Sequence, residues 1–217
     1  MTFKKDLITG LSKKNKRIPS KYHYDLQGSK YFEKITQQKE YYPTRKEKEI
    51  LKKISKKIPA LFKGSLAFVE LGSGAADKIE ILINKKVKYY VPLDISLNFV
   101  KKSAFKLKKK YPKLIIKPLK VDYSRRFKIP NFKKTTKVCF FLGSSIGNFH
   151  YKEEKKFLIN IRKSIGKDNF IFIGADLIKN KKILHNAYND KKGYTAKFSL
   201  NLINIINRTQ KTKLNIK

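Results

Sequence analysis

Glu70-Leu71-Gly72-Ser73-Gly74 and Asp94 are the residues of this chain whose types and spacing can hold a nucleoside. The glycines follow the apolar run Leu66 to Val69, which reads as a short buried strand. A glycine turn there lets the backbone bend tightly and approach a ligand with no Cβ in the way. Asp94 ends a second apolar run, Val87 to Leu93, about 20 residues past the turn. A carboxylate at that place can accept from both hydroxyls of a ribose. The pair predicts an adenosine-bearing cofactor. The plainer alternative, a strand–turn–helix corner with no ligand, loses ground to Asp94.

The turn also says which cofactor. No G-x-x-x-x-G-K-[ST] phosphate loop is present. The third glycine of a dinucleotide fingerprint is replaced by Asp77, whose carboxylate would repel a pyrophosphate held at a helix N-terminus. Glu70, directly before the loop, suits a cationic ligand. S-adenosyl-L-methionine has no phosphate and carries a sulfonium and an ammonium, so it fits better than a nicotinamide cofactor. Downstream, Val121-Asp122-Tyr123 offers an acceptor for an exocyclic amine and a ring for an adenine face, or else is an exposed acidic turn. Gly143-Ser144-Ser145-Ile146-Gly147-Asn148-Phe149 is small and polar, and its amides with Asn148 can hold a carboxylate or an amine. An Asn/Asp-Pro-Pro-Tyr box is absent from this place, which argues against a nucleobase substrate. No metal ligands are assigned.

The elements that must position these groups alternate. Strands are expected near 66–71, 88–93, 114–117, 138–142 and 169–175, and helices near 77–84, 97–110 and 152–165. That order predicts an α/β fold with a parallel sheet and helices on both faces. Ahead of it, residues 1–20 are polar and basic, and Tyr31 to Ile35 reads as a short helix after Gly28-Ser29. Thr44 and Glu47 form a capping box for a helix from Arg45 to Ile58, ended by Pro59. Helical stretches follow from Lys181 to Asn189 and from Thr195 to Asn207. The expected organisation is an N-terminal helical segment (1–60), a cofactor-binding core (61–180) and the start of a substrate-binding domain (181–217).

A chain of 217 residues is one domain, or one domain and part of a second. The single cysteine, Cys139, sits in the apolar run Val138 to Leu142 and reads as a buried small hydrophobe. No apolar run is long enough to span a membrane, and the N-terminus has no secretory pattern, so a cytoplasmic protein without membrane partners is expected. The net charge of +37 resembles a nucleic-acid signature. Yet only six of the 53 basic residues are arginine, the side chain that makes the commonest specific base contacts. The lysines are spread along the chain, and the wealth of Lys, Ile and Asn fits A/T-rich codons. A solvated lysine surface without a specific nucleic-acid site is expected.

Longer strings carry a resemblance. They are Tyr24-Asp25 with Gly28-Ser29, Glu40-Tyr41-Tyr42-Pro43-Thr44-Arg45, Val69 to Gly74, Val91-Pro92-Leu93-Asp94-Ile95-Ser96 and Gly143 to Phe149. Gly174-Ala175-Asp176-Leu177, Ala187-Tyr188-Asn189-Asp190 and Phe198-Ser199-Leu200-Asn201-Leu202 follow in order. From about residue 18 to 208 the chain resembles the histidine-specific N-alpha-methyltransferases of ergothioneine biosynthesis. The resemblance implies a Rossmann-like class I methyltransferase sheet with an N-terminal helical extension. It also implies S-adenosyl-L-methionine as cofactor and three methyl transfers to the α-amino nitrogen of L-histidine, giving hercynine. Gly72, Gly74, Lys78, Asp94, Asp122 and Tyr123 would hold the cofactor, Tyr123 standing where the family usually has Phe. Asn148 and Tyr188 would hold histidine, with Gly143 and Ser145 beside them. One of Tyr41 or Tyr42 joins them, the first being favoured. Tyr24 is a further candidate next to the amine, so the catalytic tyrosines are drawn from Tyr24, Tyr41 and Tyr42.

The tail from Arg208 to Lys217 no longer looks like the family, whose members continue further. The expectation is a chain truncated at its C-terminus, with the last strands of the sheet missing. Asn169 to Ala175 would then be an exposed apolar edge, open to self-association. An active methyltransferase, a cofactor-binding remnant without activity alone, and a basic nucleic-acid-binding module all stay open on sequence.

Overall fold

The computed structural model describes residues 3–149 and 151–215; Ile216 and Lys217, the end of the divergent tail, lie outside the described residues. The chain divides into two compact units, Tyr42–Lys179 and Met1–Tyr41 with Asn180–Lys217. The first division falls at Tyr41/Tyr42, inside the stretch 1–60 expected as the N-terminal helical segment.

The unit Tyr42–Lys179 is built on strands β1 (Ser65–Leu71), β2 (Val87–Asp94), β3 (Ile115–Ile116), β4 (Leu119–Lys120), β5 (Thr135–Phe141) and β6 (Phe170–Ile173). Among the described residues they form one sheet in the order β3–β2–β1–β5–β6, with β4 also on β2, and every pairing is parallel. Parallel strands covered on both faces read as continuous apolar runs rather than alternating ones, and β1 is buried from Leu66 to Leu71. Leu66 and Phe68 face one core with Tyr90 and Phe140. Ala67, Val69 and Leu71 face the other with Val91 and Phe141. The first core is closed by Leu51 of α3 (Tyr42–Ile54), Ile58 of α4 (Lys57–Ala60) and Leu107 of α5 (Leu97–Lys110). The second is closed by Phe157, Ile161 and Ile165 of α6 (Tyr151–Ile165). Helices on both faces of a parallel sheet are the Rossmann-like arrangement expected.

Several local expectations are corrected. Residues 77–84 form only a 3-10 turn, Ile79–Leu82: Ala76 adopts a left-handed φ of 60°, and the run Ile79, Ile81 and Ile83 carries stiff β-branched side chains. The strand near 114–117 is split into β3 and β4, because Pro118 between them has no N–H to give the ladder. The capping box fails, since α3 already begins at Tyr42 and Thr44 is a buried helical residue. That helix ends at Ile54, and Pro59 lies inside α4 rather than terminating α3.

The other unit contains α1 (Phe3–Leu11), α2 (Leu26–Thr36), α7 (Lys181–Ala187) and α8 (Tyr194–Gln210). The helix α1 lies inside the stretch read as merely polar and basic, and buries Leu7 and Gly10. Gly28 and Ser29 are helical instead of preceding the helix, because the Asp25 side chain caps α2 by accepting from the Gly28 amide at 2.8 Å. The same carboxylate accepts from Asn201 Nδ2 at 2.9 Å and Arg208 at 2.8 Å, which ties the start of α2 to α8.

Candidate functional site

The carboxyl ends of β1 and β2 carry the cofactor candidates. The Gly72 amide donates to the Leu93 carbonyl at 2.8 Å, holding the turn against β2. Gly72 has φ +67°, a backbone that only glycine adopts without strain. A Cβ there would meet the Tyr123 hydroxyl at 3.6 Å, so Tyr123 lies beside the turn. Asp94 closes β2 and is partly buried. Its Oδ1 accepts from the Ser96 amide at 2.9 Å, and its Oδ2 lies 3.5 Å from the Gly74 amide. Burial raises its pKa, while the amides of Ser96, Gly74 and Ile95 act against that rise. Gly72, Gly74, Asp94 and Tyr123 are thus one cluster.

Asp122 and Lys78 are placed differently from their simplest reading. Asp122 accepts from the amide and hydroxyl of Ser124, at 3.1 and 2.5 Å, and faces Arg125 at 3.5 Å. The Tyr123 ring packs edge-on against Phe141 and Phe157, at 5.6 and 5.8 Å between centroids. The Lys78 ammonium is paired with Glu47 at 2.6 Å, and a Cβ on Gly143 would lie 3.2 Å from it.

Glu70 lies deeper than its sequence position suggested. Its side chain is wholly buried and hydrogen-bonded to the Tyr90 hydroxyl. Burial pushes its carboxyl up to about 8, against the pull of Tyr90 and Lys78. At neutral pH burial therefore favours its protonated form.

The amino-acid candidates fall into two sets. Gly143, Ser145 and Asn148 belong to the sheet unit, in the turn after β5. Ser145 Oγ donates to the Leu142 carbonyl at 3.2 Å, and Ser144 accepts from the Asp176 amide at 2.9 Å. Ser144 adopts a left-handed φ of 55°, an outlying conformation of the kind that collects at functional turns. Tyr24, Tyr41 and Tyr188 belong to the other unit. Their rings join a chain of aromatic contacts: Tyr188 on Tyr41 at 5.8 Å, Tyr41 on Phe32 at 6.1 Å, and Phe32 on Tyr24 at 5.5 Å. The doublet is split. Tyr41 is buried in this chain of rings, whereas the Tyr42 hydroxyl donates to Asp176 and Lys179 covers its ring. Tyr41 and Tyr188, both named for the amino acid, thus lie in ring contact.

Sequence reading missed Glu47, assigning it to a helix cap. It also missed Asp176, which receives Tyr42 and Lys179. The string Gly174-Ala175-Asp176-Leu177 was the available signal for Asp176.

Comparison with known proteins resolves the family. The family described as histidine-specific methyltransferase, SAM-dependent, matches residues 3–217. The chain belongs to this family. It is 32% identical to the histidine N-alpha-methyltransferase of Mycolicibacterium smegmatis over 211 residues, covering 94% of this chain and 65% of that protein. It is 31% identical to the corresponding protein of Mycobacterium tuberculosis, covering 96% of this chain and 66% of the relative. The chain therefore spans about two thirds of the length of these curated relatives. Among solved structures, magnesium protoporphyrin IX methyltransferase from Synechocystis PCC 6803 with bound SAM superposes with a TM-score of 0.55 at 11% identity. That match covers 80% of this chain and 86% of the other, a likeness of fold. The class I methyltransferase fold expected from the sequence is borne out. Among the described residues no helix is long and apolar enough to cross a membrane.

Proposed function

We propose that this chain binds S-adenosyl-L-methionine and methylates the α-amino nitrogen of L-histidine, giving hercynine. The observation that carries the cofactor half is the Asp94 carboxylate, partly buried at the end of β2 and beside a glycine turn of positive φ. Its amide contacts leave acceptor capacity on both oxygens, which suits a ribose diol. The residues present fit such a cofactor, and membership of the histidine-specific family supports the amino-acid half. The bound cofactor would supply a methyl group on a cationic sulfur. Methyl transfer needs a neutral amine held in line and little acid–base help. Asp94, Gly72, Gly74, Lys78, Asp122 and Tyr123 are assigned to the cofactor. Tyr24, Tyr41, Tyr188, Asn148, Gly143 and Ser145 are assigned to the amino acid, with Tyr42 turned to Asp176. Tyrosine hydroxyls and an Asn amide can orient an amine without a carboxylate beside it, and so without holding it protonated.

The test is transfer of labelled methyl from S-adenosyl-L-methionine to L-histidine by the chain, followed by mass analysis. Methylated histidine is the expected product. Cofactor binding with no transfer would leave only a cofactor-binding unit, and neither binding nor transfer would overturn the reading. Two lesser proposals accompany it. The lone cysteine, buried and free, suits a reducing compartment such as the cytoplasm. The edge strand β6, with Phe170 and Ile173 exposed, favours self-association with a second copy.

A further inference from the structure

Glu47 stands one turn into α3, and its carboxylate is largely enclosed. Both of its oxygens accept from the Gly143 amide, at 2.7 and 3.0 Å, and one also takes the Lys78 ammonium at 2.6 Å. Its far side rests on Gly174, where an added Cβ would lie 2.0 Å from Oε1. The next residue, Lys48, pairs with Asp77. Two consecutive residues of α3 therefore grip Asp77 and Lys78, the two residues leading out of the glycine turn. The first of them also fixes the turn that follows β5.

We infer that Glu47 is a positioning residue of the proposed methyl transfer, setting the Lys78 ammonium and the Gly143 turn at the carboxyl edge of the sheet. The inference rests on the function proposed above, since Lys78 and Gly143 meet ligands only on that reading. A lysine head is a point charge on a flexible stem, and it keeps one place only if something holds it. A carboxylate has about four acceptor sites, enough for a forked amide contact and an ammonium together. Bonds to charged groups are shorter and roughly twice as strong as neutral ones, and enclosure protects this pair from screening by salt. Gly174 provides the space: the β6 end passes so close that any side chain there would displace the carboxylate.

The test measures affinity for S-adenosylhomocysteine by calorimetry on the chain and its variants. Glu47→Gln removes the counter-charge and offers an amide N–H₂ to the ammonium. It should weaken binding about tenfold. Gly174→Ala keeps every charge but forces the carboxylate aside, and should weaken binding to a similar degree. Lys78→Met should do the same, and Glu47→Gln placed on Lys78→Met should cost no more than about a further twofold, because the two residues act as one unit. A merely structural Glu47 would lower thermal stability in both backgrounds without this coupling in affinity. Equal affinity of wild type with either Glu47→Gln or Gly174→Ala would overturn the inference, as would losses that multiply in the double variant. A wild-type chain without affinity would overturn the methyltransferase reading itself. Wild-type binding with an unaffected Glu47→Gln would overturn only the role of Glu47.

Discussion

The Tyr90 hydroxyl donates to the Glu70 carboxyl at 2.5 Å, joining β2 to β1 through two wholly buried side chains. Neither has water to share its charge, so burial holds both in their protonated forms: Glu70 is pushed up to about 8, and Tyr90 well above its ordinary value.

Stability should therefore fall with rising pH across a defined window. The unfolded chain releases the Glu70 proton near 4.5, while the folded chain keeps it until about 8. The contribution is complete below pH 4.5 and is lost on rising to about 8, at a limiting slope of about 1.4 kcal/mol per pH unit. Glu70→Gln has no proton to lose, so its melting temperature should gain on wild type steadily between pH 5 and 8. Parallel curves for the two proteins over that range would refute the buried neutral carboxyl.

Asp94 should govern cofactor affinity. Asp94→Ala removes a charged acceptor, and bonds to charged groups are worth about 1.5–3 kcal/mol. Binding of S-adenosyl-L-methionine should weaken at least about tenfold, while the β1–β2 pairing, made by backbone, persists. Calorimetry giving equal affinities would remove Asp94 from the site.

Asp25 should matter to the helical unit far more than its exposed ion-pair partner. Burial alone would raise its carboxyl, but the Gly28 amide, Arg208 and Asn201 together hold it below the ordinary carboxylate value of 3.8. Its support is therefore full above pH 3.8 and lost as pH falls through the lower folded value. Asp25→Ala loses a helix cap, worth about 0.5–2 kcal/mol, and the bond to Asn201 as well. Arg208→Ala loses only a largely exposed pair, worth about 0–1 kcal/mol. Hydrogen exchange of α2 amides should rise clearly in the first variant and little in the second; the reverse order would contradict the capping role.

The sheet was legible because buried parallel strands leave unbroken apolar runs, as Leu66 to Val69 and Val138 to Leu142 show. Asp94 was legible for a related reason: a carboxylate ending such a run has little to do but meet a ligand or an amide. Glu47 was not. Its spacing from Thr44 satisfies a capping box, and only the tertiary fold brings it to Gly143, 96 residues away in sequence. Glu70 was legible as an acid but not as a buried one, because sequence carries its charge but not its depth. The helix α1 was legible in principle, since Phe3, Leu7 and Leu11 recur at helical spacing, but the lysines in and after it masked that short stripe.

The β6 edge gives the last prediction. In a parallel pair, alternate amides of β6 point toward β5, and Gly174 donates to Phe141 at 2.9 Å. By alternation Phe172 points the same way, and Ile171 and Ile173 point outward. Among the described residues β5 is the only strand that pairs with β6. The amides of Ile171 and Ile173 should therefore exchange faster than those of Phe172 and Gly174 in dilute protein, and slow down as concentration rises. Phe170 and Ile173 are 49% and 40% exposed, so the strand at this edge also leaves apolar side chains open to solvent on the sheet faces. A lysine at an edge discourages strand addition, and Ile173→Lys should abolish the concentration dependence and lower the sedimenting mass toward that of a single chain. Slow exchange at Ile171 and Ile173 in a protein that sediments as one chain at every concentration would show that the edge is not a pairing surface between copies.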